Sequence, residues 1–448
     1  MAVLIGMAKQ ELAAAKDPAQ WSLSDERVCV VALYAQSEEA KTVWLVLDFM
    51  DFNLKVVNTL KNAVAAATGL APEQVHILTT HNHGAGESHA LEKLSPLCAT
   101  CALNAVVSAR PASMTMTITN VDKQVNYMRR MYIPEIEAST TLFHGTCEEN
   151  NYDSAPHTEG VLQELAEGRL SYRIVVDTDR PFKPFPNGDP CLFAAVFRDV
   201  ETNEIIGSLV RFAAHAVCTY TSGVLSSDFP HHIRTKMEEV LGGTSMFING
   251  PCGNITPGFN AGNRKTAAQR IGHYLAQTAL DALKDQPQIP LTKLQDTALT
   301  VSLPVSPDVL SQHVDMPDEM PEDFPARIRY LEAKSRKATM EFLREKYCEG
   351  ETTLKDTTDV SVGILQLNDL TLVGFPGETF FETGEAIRKA FPDKKIVTAT
   401  EHGRTVMYLP IREEIPLGGY ESTVCRLTAP GAAEIMEEAV KTALKEIL

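Results

Sequence analysis

Apolar runs of strand length alternate with stretches of helical periodicity along the first third of the chain. Residues 28–34 and 42–48 are nearly continuous apolar runs, residues 54–68 space their apolar positions as a helix does, and residues 74–79 read as another strand. Such alternation predicts an α/β fold. Between about 120 and 190 the signal weakens into polar sequence punctuated by proline and glycine, as in Arg180-Pro-Phe-Lys-Pro-Phe-Pro-Asn-Gly-Asp-Pro190, which predicts loops laid over a scaffold. Residues 191–197 and 205–214 then predict a strand pair joined through Asn203.

Helices are expected over 229–241 and 267–283, the second carrying Ile271, Leu275, Ala279, Ala282 and Leu283 on one stripe. A strongly charged helix over 324–347 follows a loop rich in Pro, Asp and Glu at 303–323, and the stretch 303–348 reads as an inserted lid or interface element. Strands return at 361–367, 370–375 and 395–398, and a last helix places Ile435, Ala439, Ala443 and Ile447 on its apolar face. The expected architecture is a mixed β-sheet core flanked by helices. It is read as one domain over 1–448, because neither repeats nor a long linker divide the chain.

Composition narrows the function classes. With 44% hydrophobic and 22% charged residues, the 448-residue chain has globular proportions. Its net charge of −17 is spread without a run of either sign or a basic stripe, so nucleic acid and anionic membrane surfaces are poor partners. No apolar stretch reaches the roughly 18 residues of a membrane span. The start, Met1-Ala-Val-Leu-Ile-Gly-Met-Ala-Lys9, lacks a positive segment and a cleavage site, and nine cysteines at irregular spacings suit a reducing compartment. The expected location is therefore cytoplasmic. Cys98-Ala-Thr-Cys101 has no second pair to complete a metal site and is expected to pack inside a helix.

Four strand-like segments end in a potential metal ligand followed by small or turn-forming residues, a pattern that can gather side chains on one sheet edge. After Val75 to Thr80 come His81, Asn82 and His83, and period two puts both imidazoles on one side; a chance surface pair is the plainer alternative. His215 interrupts an apolar run from Leu209, as a ligand or as a core histidine bonded to a carbonyl. Glu378 follows Pro376-Gly377 as a ligand or as a first-turn acid of the next helix, and Tyr408 is a ligand, an acid or a packed aromatic. Two His, one Glu and one oxygen donor suit a zinc ion, Zn2+, with a position left for water.

In order along the chain these segments resemble the blocks of the neutral/alkaline, non-lysosomal ceramidase family. Thr80-His81-Asn82-His83-Gly84 is similar to its Thr-His-Thr-His-Ser-Gly, and Phe212-Ala-Ala-His215 with Ser227-Asp228-Phe229-Pro230 to its Phe-Ala-x-His and Asp-Phe-Pro. Gly253-Asn254-Ile255-Thr256-Pro257 resembles Gly-Asp-Val-Ser-Pro, Pro376-Gly377-Glu378 resembles Pro-Gly-Glu, and Tyr408 through Glu421 resembles its Tyr-x-Thr-x-x-Glu-Glu…Tyr-Glu close. Asn82, Asn254 and Thr256 depart from the family's Thr, Asp and Ser.

The resemblance implies that His81, His215, Glu378 and Tyr408 hold zinc and that an activated water cleaves the amide of a small N-acylated lipid-like substrate. His83 is the expected proton carrier. Arg129 and Arg130, in Asn126-Tyr-Met-Arg-Arg130, resemble the family's Asn-Arg block and would bind a carbonyl oxygen or a substrate carboxylate, or else form a solvated loop pair. Asn254 and Thr256 would orient substrate, or else belong to an ordinary Gly/Asn/Pro turn. Two other classes compete: a hydrolase or acyltransferase using Cys252 as nucleophile, and a non-catalytic binding protein on the same scaffold.

Overall fold

Period-two alternation along the strands sorts their side chains between two cores, and a four-layer stack results. The computed structural model describes residues 2–11, 22–23, 26–85, 91–142, 155–170, 188–220, 224–258, 264–348 and 355–448. Eight strands build the larger sheet: β1 (Leu4–Glu11), β2 (Cys29–Gln36), β3 (Lys41–Leu47), β4 (Val75–Thr79), β5 (Arg110–Asn120), β6 (Cys191–Asp199), β7 (Ile205–Phe212) and β8 (Thr244–Asn249). Their order is β8-β7-β6-β5-β1-β2-β3-β4, and Ile289–Pro290 adds a short ninth strand beside β5. The second sheet runs β9 (Leu294–Pro304), β10 (Thr357–Leu367), β11 (Leu370–Gly374), β12 (Lys395–Ala399).

Val31, Leu33 and Ala35 of β2 and Phe193, Ala195 and Phe197 of β6 meet Leu365, Leu367, Leu370 and Leu372 in a core between the sheets. The alternate residues Val30, Ala32 and Tyr34 face α1 (Leu54–Thr68) and α2 (Leu91–Val107). Ala194, Val196, Val210 and Phe212 face α3 (Asp228–Leu241) and α4 (Arg264–Leu283). The far side of the second sheet, with Val362, Ile364, Val373 and Ile396, packs on α6 (Phe381–Ala390) and α7 (Ala432–Ile447). Cys98 and Cys101 are buried in the core beneath α2, where helix packing had been expected of them.

The pairs β3/β4, β7/β8 and β11/β12 are parallel. Parallel neighbours need a crossover, and α1, α3 and α6 supply the three.

The mixed sheet flanked by helices agrees with the sequence pattern, but four strands exceed it. β1, β5, β8 and β9 carry polar residues along part of their length and so lack a full apolar run. The stretch 120–190 is more regular than expected, with strands at Asn126–Met128, Arg130–Ile133 and Ala138–Thr141 and a helix at Ala155–Ala166. The Pro-rich run from Arg180 lies largely outside the described residues. The charged helix forms as α5 (Phe324–Cys348), while β9 and a helical turn at Pro307–Ser311 occupy part of the expected loop.

On α7 the buried stripe is Ala432, Ala433, Met436, Val440 and Leu444. Ile435 is 44% exposed, so the helix is rotated by about one residue from the expected face, turning its bulkier stripe inward. Among the described residues no helix is long and apolar enough to cross a membrane.

Candidate metal centre

Three strand ends converge at the edge where the crossover units finish. His81 lies just beyond β4 with a left-handed φ of 55°, and His215 lies just beyond β7. Glu378 and Tyr408 are partners in a two-strand parallel ladder, Glu378–Thr379 against Tyr408–Leu409.

The ring Nδ1 of His81 is 3.0 Å from the Met50 carbonyl oxygen, and that of His215 is 2.9 Å from the Ile255 carbonyl oxygen. A carbonyl only accepts, so each Nδ1 carries its proton, and either ring, when neutral, presents a bare lone pair at Nε2. Both Nε2 atoms face one carboxylate oxygen, Glu378 Oε2, at 3.3 and 3.0 Å. The Nε2 of His83 stands 3.1 Å from that of His81. Converging lone pairs and a carboxylate repel one another unless a proton or a metal cation lies among them. The nearest ligand atoms of His81, His83 and His215 lie within 4.8 Å of one another, so the cluster can bind a metal ion. Imidazoles steadied from behind by carbonyls are the arrangement metal ligands need.

With protons alone in the cluster, electrostatics divide the three histidines. Burial pushes His81 down, but the Glu378 and Glu401 carboxylates outweigh it and raise the ring to about 9. Burial and the Arg129 charge lower His215 to about 4. Burial, reinforced by His81 and His215, holds His83 well below the usual imidazole range. Burial opposes ionisation of Glu378, yet His81 and His215 hold its carboxyl well below the usual range.

One residue unmarked by sequence reasoning ties the two histidine segments together. Asn249, at the end of β8, donates its amide to the Thr80 and Ala214 carbonyls at 3.1 and 2.9 Å and accepts from the Ala214 N–H at 3.2 Å. It thus grips the residue before each histidine. An asparagine closing an apolar strand ahead of Gly250 was the available signal.

No family model and no curated protein matches the sequence. Solved structures do match the fold. The crystal structure of neutral ceramidase from Pseudomonas aeruginosa aligns over 100% of this chain and 75% of its own, with a TM-score of 0.65 at 16% identity. A ceramidase complexed with C2 aligns over 100% and 76%, with a TM-score of 0.66 at 15% identity. The chain has the neutral ceramidase fold.

Within this ceramidase-like fold the two arginines part company. Arg129 donates through Nη2 to the Tyr408 hydroxyl at 2.8 Å and through Nε to Glu421 at 2.7 Å. It therefore reaches the cluster through Tyr408, whose ring lies nearly parallel to that of His215 and whose phenol burial pushes far up. Arg130 turns instead to Glu414, Glu421 and the carbonyls of Glu414 and Gly418. Both guanidiniums are buried, which corrects the solvated-pair alternative, and Arg130 braces the loop over 414–421.

Of the departures from the family blocks, Asn82 is wholly buried, donating to the Ser226 carbonyl and accepting from the Gly84 N–H. Thr256 is buried in a short ladder against Tyr127. Asn254 accepts from the Phe381 N–H at the start of α6 and donates to both Glu382 carboxylate oxygens, at 3.0 and 2.8 Å. Its amide is thus engaged by the helix start.

Burial pushes the Glu382 carboxyl up to about 7. Its folded value exceeds its unfolded one, so the folded state binds the proton more tightly, and stability falls as pH climbs from about 4.5 to about 7. Glu382→Gln removes this loss. Thermal melts should show the variant gaining on the parent by about 1–3 kcal/mol between pH 5 and pH 8, and a pH-independent difference would refute the account.

Proposed function

We propose that the protein is a zinc-dependent hydrolase of the linear amide bond in an N-acylated small molecule, with a lipid-like acyl compound as the substrate class. The observation that carries this reading is the trio of facing acceptors, His81 Nε2, His215 Nε2 and Glu378 Oε2, buried at one edge of the sheet. Two structural neighbours that are ceramidases support the amide as the target.

His81, His215 and Glu378, with the Tyr408 oxygen, would hold the zinc, a donor set of the kind that ion accepts. When bound, zinc supplies Lewis acidity, lowering the pKa of a water and polarising a carbonyl. Arg129 orients the Tyr408 phenol and keeps positive charge behind it, where an amide oxygen gaining negative charge would be stabilised. His83 is less buried than its two neighbours and would take up a proton and return it to the leaving nitrogen, although burial beside His81 and His215 leaves its ring a weak base while protons alone occupy the cluster. Tyr220, 47% exposed, stands edge-on to the His83 ring at 5.3 Å.

The cysteine alternative lacks an activated thiol. Cys252 is wholly buried, and burial together with the Glu401 and Glu378 carboxylates pushes its thiol far up. The binding-protein alternative draws on the departures from the family blocks at 82, 254 and 256, all of which are buried side chains.

The test pairs metal quantification on the purified protein with hydrolysis of N-acyl amines, N-acyl amino acids and ceramides. Expected are bound zinc, hydrolysis of an N-acyl substrate, loss of activity on chelation and retention after iodoacetamide. Activity that survives complete metal removal and disappears on alkylation would return the assignment to Cys252. An empty site with no turnover across the panel would favour a binding protein.

A further inference from the structure

A buried polar group interrupts the apolar core between the two sheets. His76 of β4 and His402, just beyond β12, are both wholly buried there, beside Asp296 of β9. His402 Nδ1 donates to the Ser361 carbonyl at 3.0 Å, leaving Nε2 to accept from His76 Nδ1 at 2.8 Å. His76 Nε2 faces Asp296 Oδ2 at 3.0 Å, and Trp44 donates to Asp296 Oδ1 at 3.3 Å while stacking on the His76 ring. With both Nδ1 protons spent, the His76–Asp296 contact requires one proton more than a neutral imidazole and a carboxylate carry between them.

The second sheet is shaped to receive these rings. Gly363 and Gly374 stand opposite each other in the β10/β11 ladder. A Cβ on Gly363 would lie 2.6 Å from His402 Nε2 and 2.7 Å from His76 Nδ1, and one on Gly374 would lie 3.1 Å from the His402 side chain. Paired glycines weaken a sheet interior, and a buried polar array stabilises less than apolar packing of the same volume. What such an array provides is position.

The position it fixes is that of segment 400–403. Gly403 donates to Ile77 O at 2.7 Å, and Glu401 O accepts from Thr79 N at 3.2 Å, which ties the segment to the strand that delivers His81. His402 N donates to Phe375 O at 2.8 Å and Glu401 N to Gly377 O at 3.3 Å, which ties it to the approach to Glu378. Thr400 N donates to Asn249 O at 2.9 Å, on the residue that grips both histidine segments. The Glu401 carboxylate reaches within 3.4 Å of His81 Nδ1.

We propose that Asp296, His76 and His402 form a positioning array that seats segment 400–403 and thereby sets the geometry of the facing ligands. The ligand part of this inference rests on the metal reading above. None of the three is a catalytic residue.

Two variants test it. His402→Phe fills the notch without hydrogen bonds, and Gly363→Ala crowds the rings while leaving all three side chains in place. Zinc affinity is measured by competition with a chromophoric chelator, and amide hydrogen exchange is followed in peptides covering 75–83 and 397–405, with 264–283 as the control. Expected are about 10–100-fold weaker zinc binding and faster exchange confined to the two test segments. Unchanged exchange there in both variants overturns the proposal, as do loosened segments with zinc affinity within about twofold of the parent. A parent that binds no zinc defeats the metal reading instead, and exchange alone then decides whether the array seats the segment.

Discussion

Replacing His215 with alanine is expected to reduce bound zinc from about one ion per chain to near none and to abolish hydrolysis, since a site of this kind loses its ion with one ligand gone. The fold should survive, because the ring stands at the strand end and not in a packed face, and circular dichroism should match the parent. His83→Ala gives the informative contrast. As a proton carrier, His83 can be lost with the zinc retained and kcat lowered by about 10²–10⁴-fold. Should metal analysis find the zinc gone from this variant as well, His83 is a ligand and not the carrier. Retention of full activity by His215→Ala would remove the basis of the proposed mechanism.

The largest expected loss of stability comes from Arg234→Met. Arg234 of α3 grips the buried Asp48 carboxylate with two bonds, at 2.8 and 2.6 Å. The same carboxylate accepts from the Cys29 N–H and the Thr80 hydroxyl, linking α3 to the strand end before His81. Removing one partner of a buried pair leaves a charge without compensation, at about 3–5 kcal/mol. Urea unfolding should show that decrease, and adding Asp48→Asn should recover part of it. A single variant as stable as the parent would mean that water or another donor reaches Asp48.

What the sequence disclosed follows from what its patterns encode. Strand ends announce themselves where an apolar run stops at His, Glu or Tyr, and the segments carrying His81, His215, Glu378 and Tyr408 meet in space although no compact motif joins them. Strands with one edge in solvent are quieter: β9 mixes Gln295, Asp296 and Thr297 into its start and shows no clean alternation. Stacking of the second sheet on the first is invisible to periodicity, since a strand buried on both faces reads the same whether a helix or another sheet covers it. The partners of Arg129 and Arg130 lie in residues 408–421, and only the fold brings that distance to zero. The clamp by Asn249 was hidden for the same reason.

The three segments proposed to hold the ion come from the first, middle and last parts of the chain, and none sits in a unit that closes on itself. A growing chain that has released only the larger sheet already holds both imidazoles but not the carboxylate, which arrives with β11 and the ladder after it. Ion capture is thus expected to be a late event in biosynthesis, awaiting the docking of distant contacts that form slowly. Shortened products of interrupted translation would carry the histidines and still be unable to keep the ion.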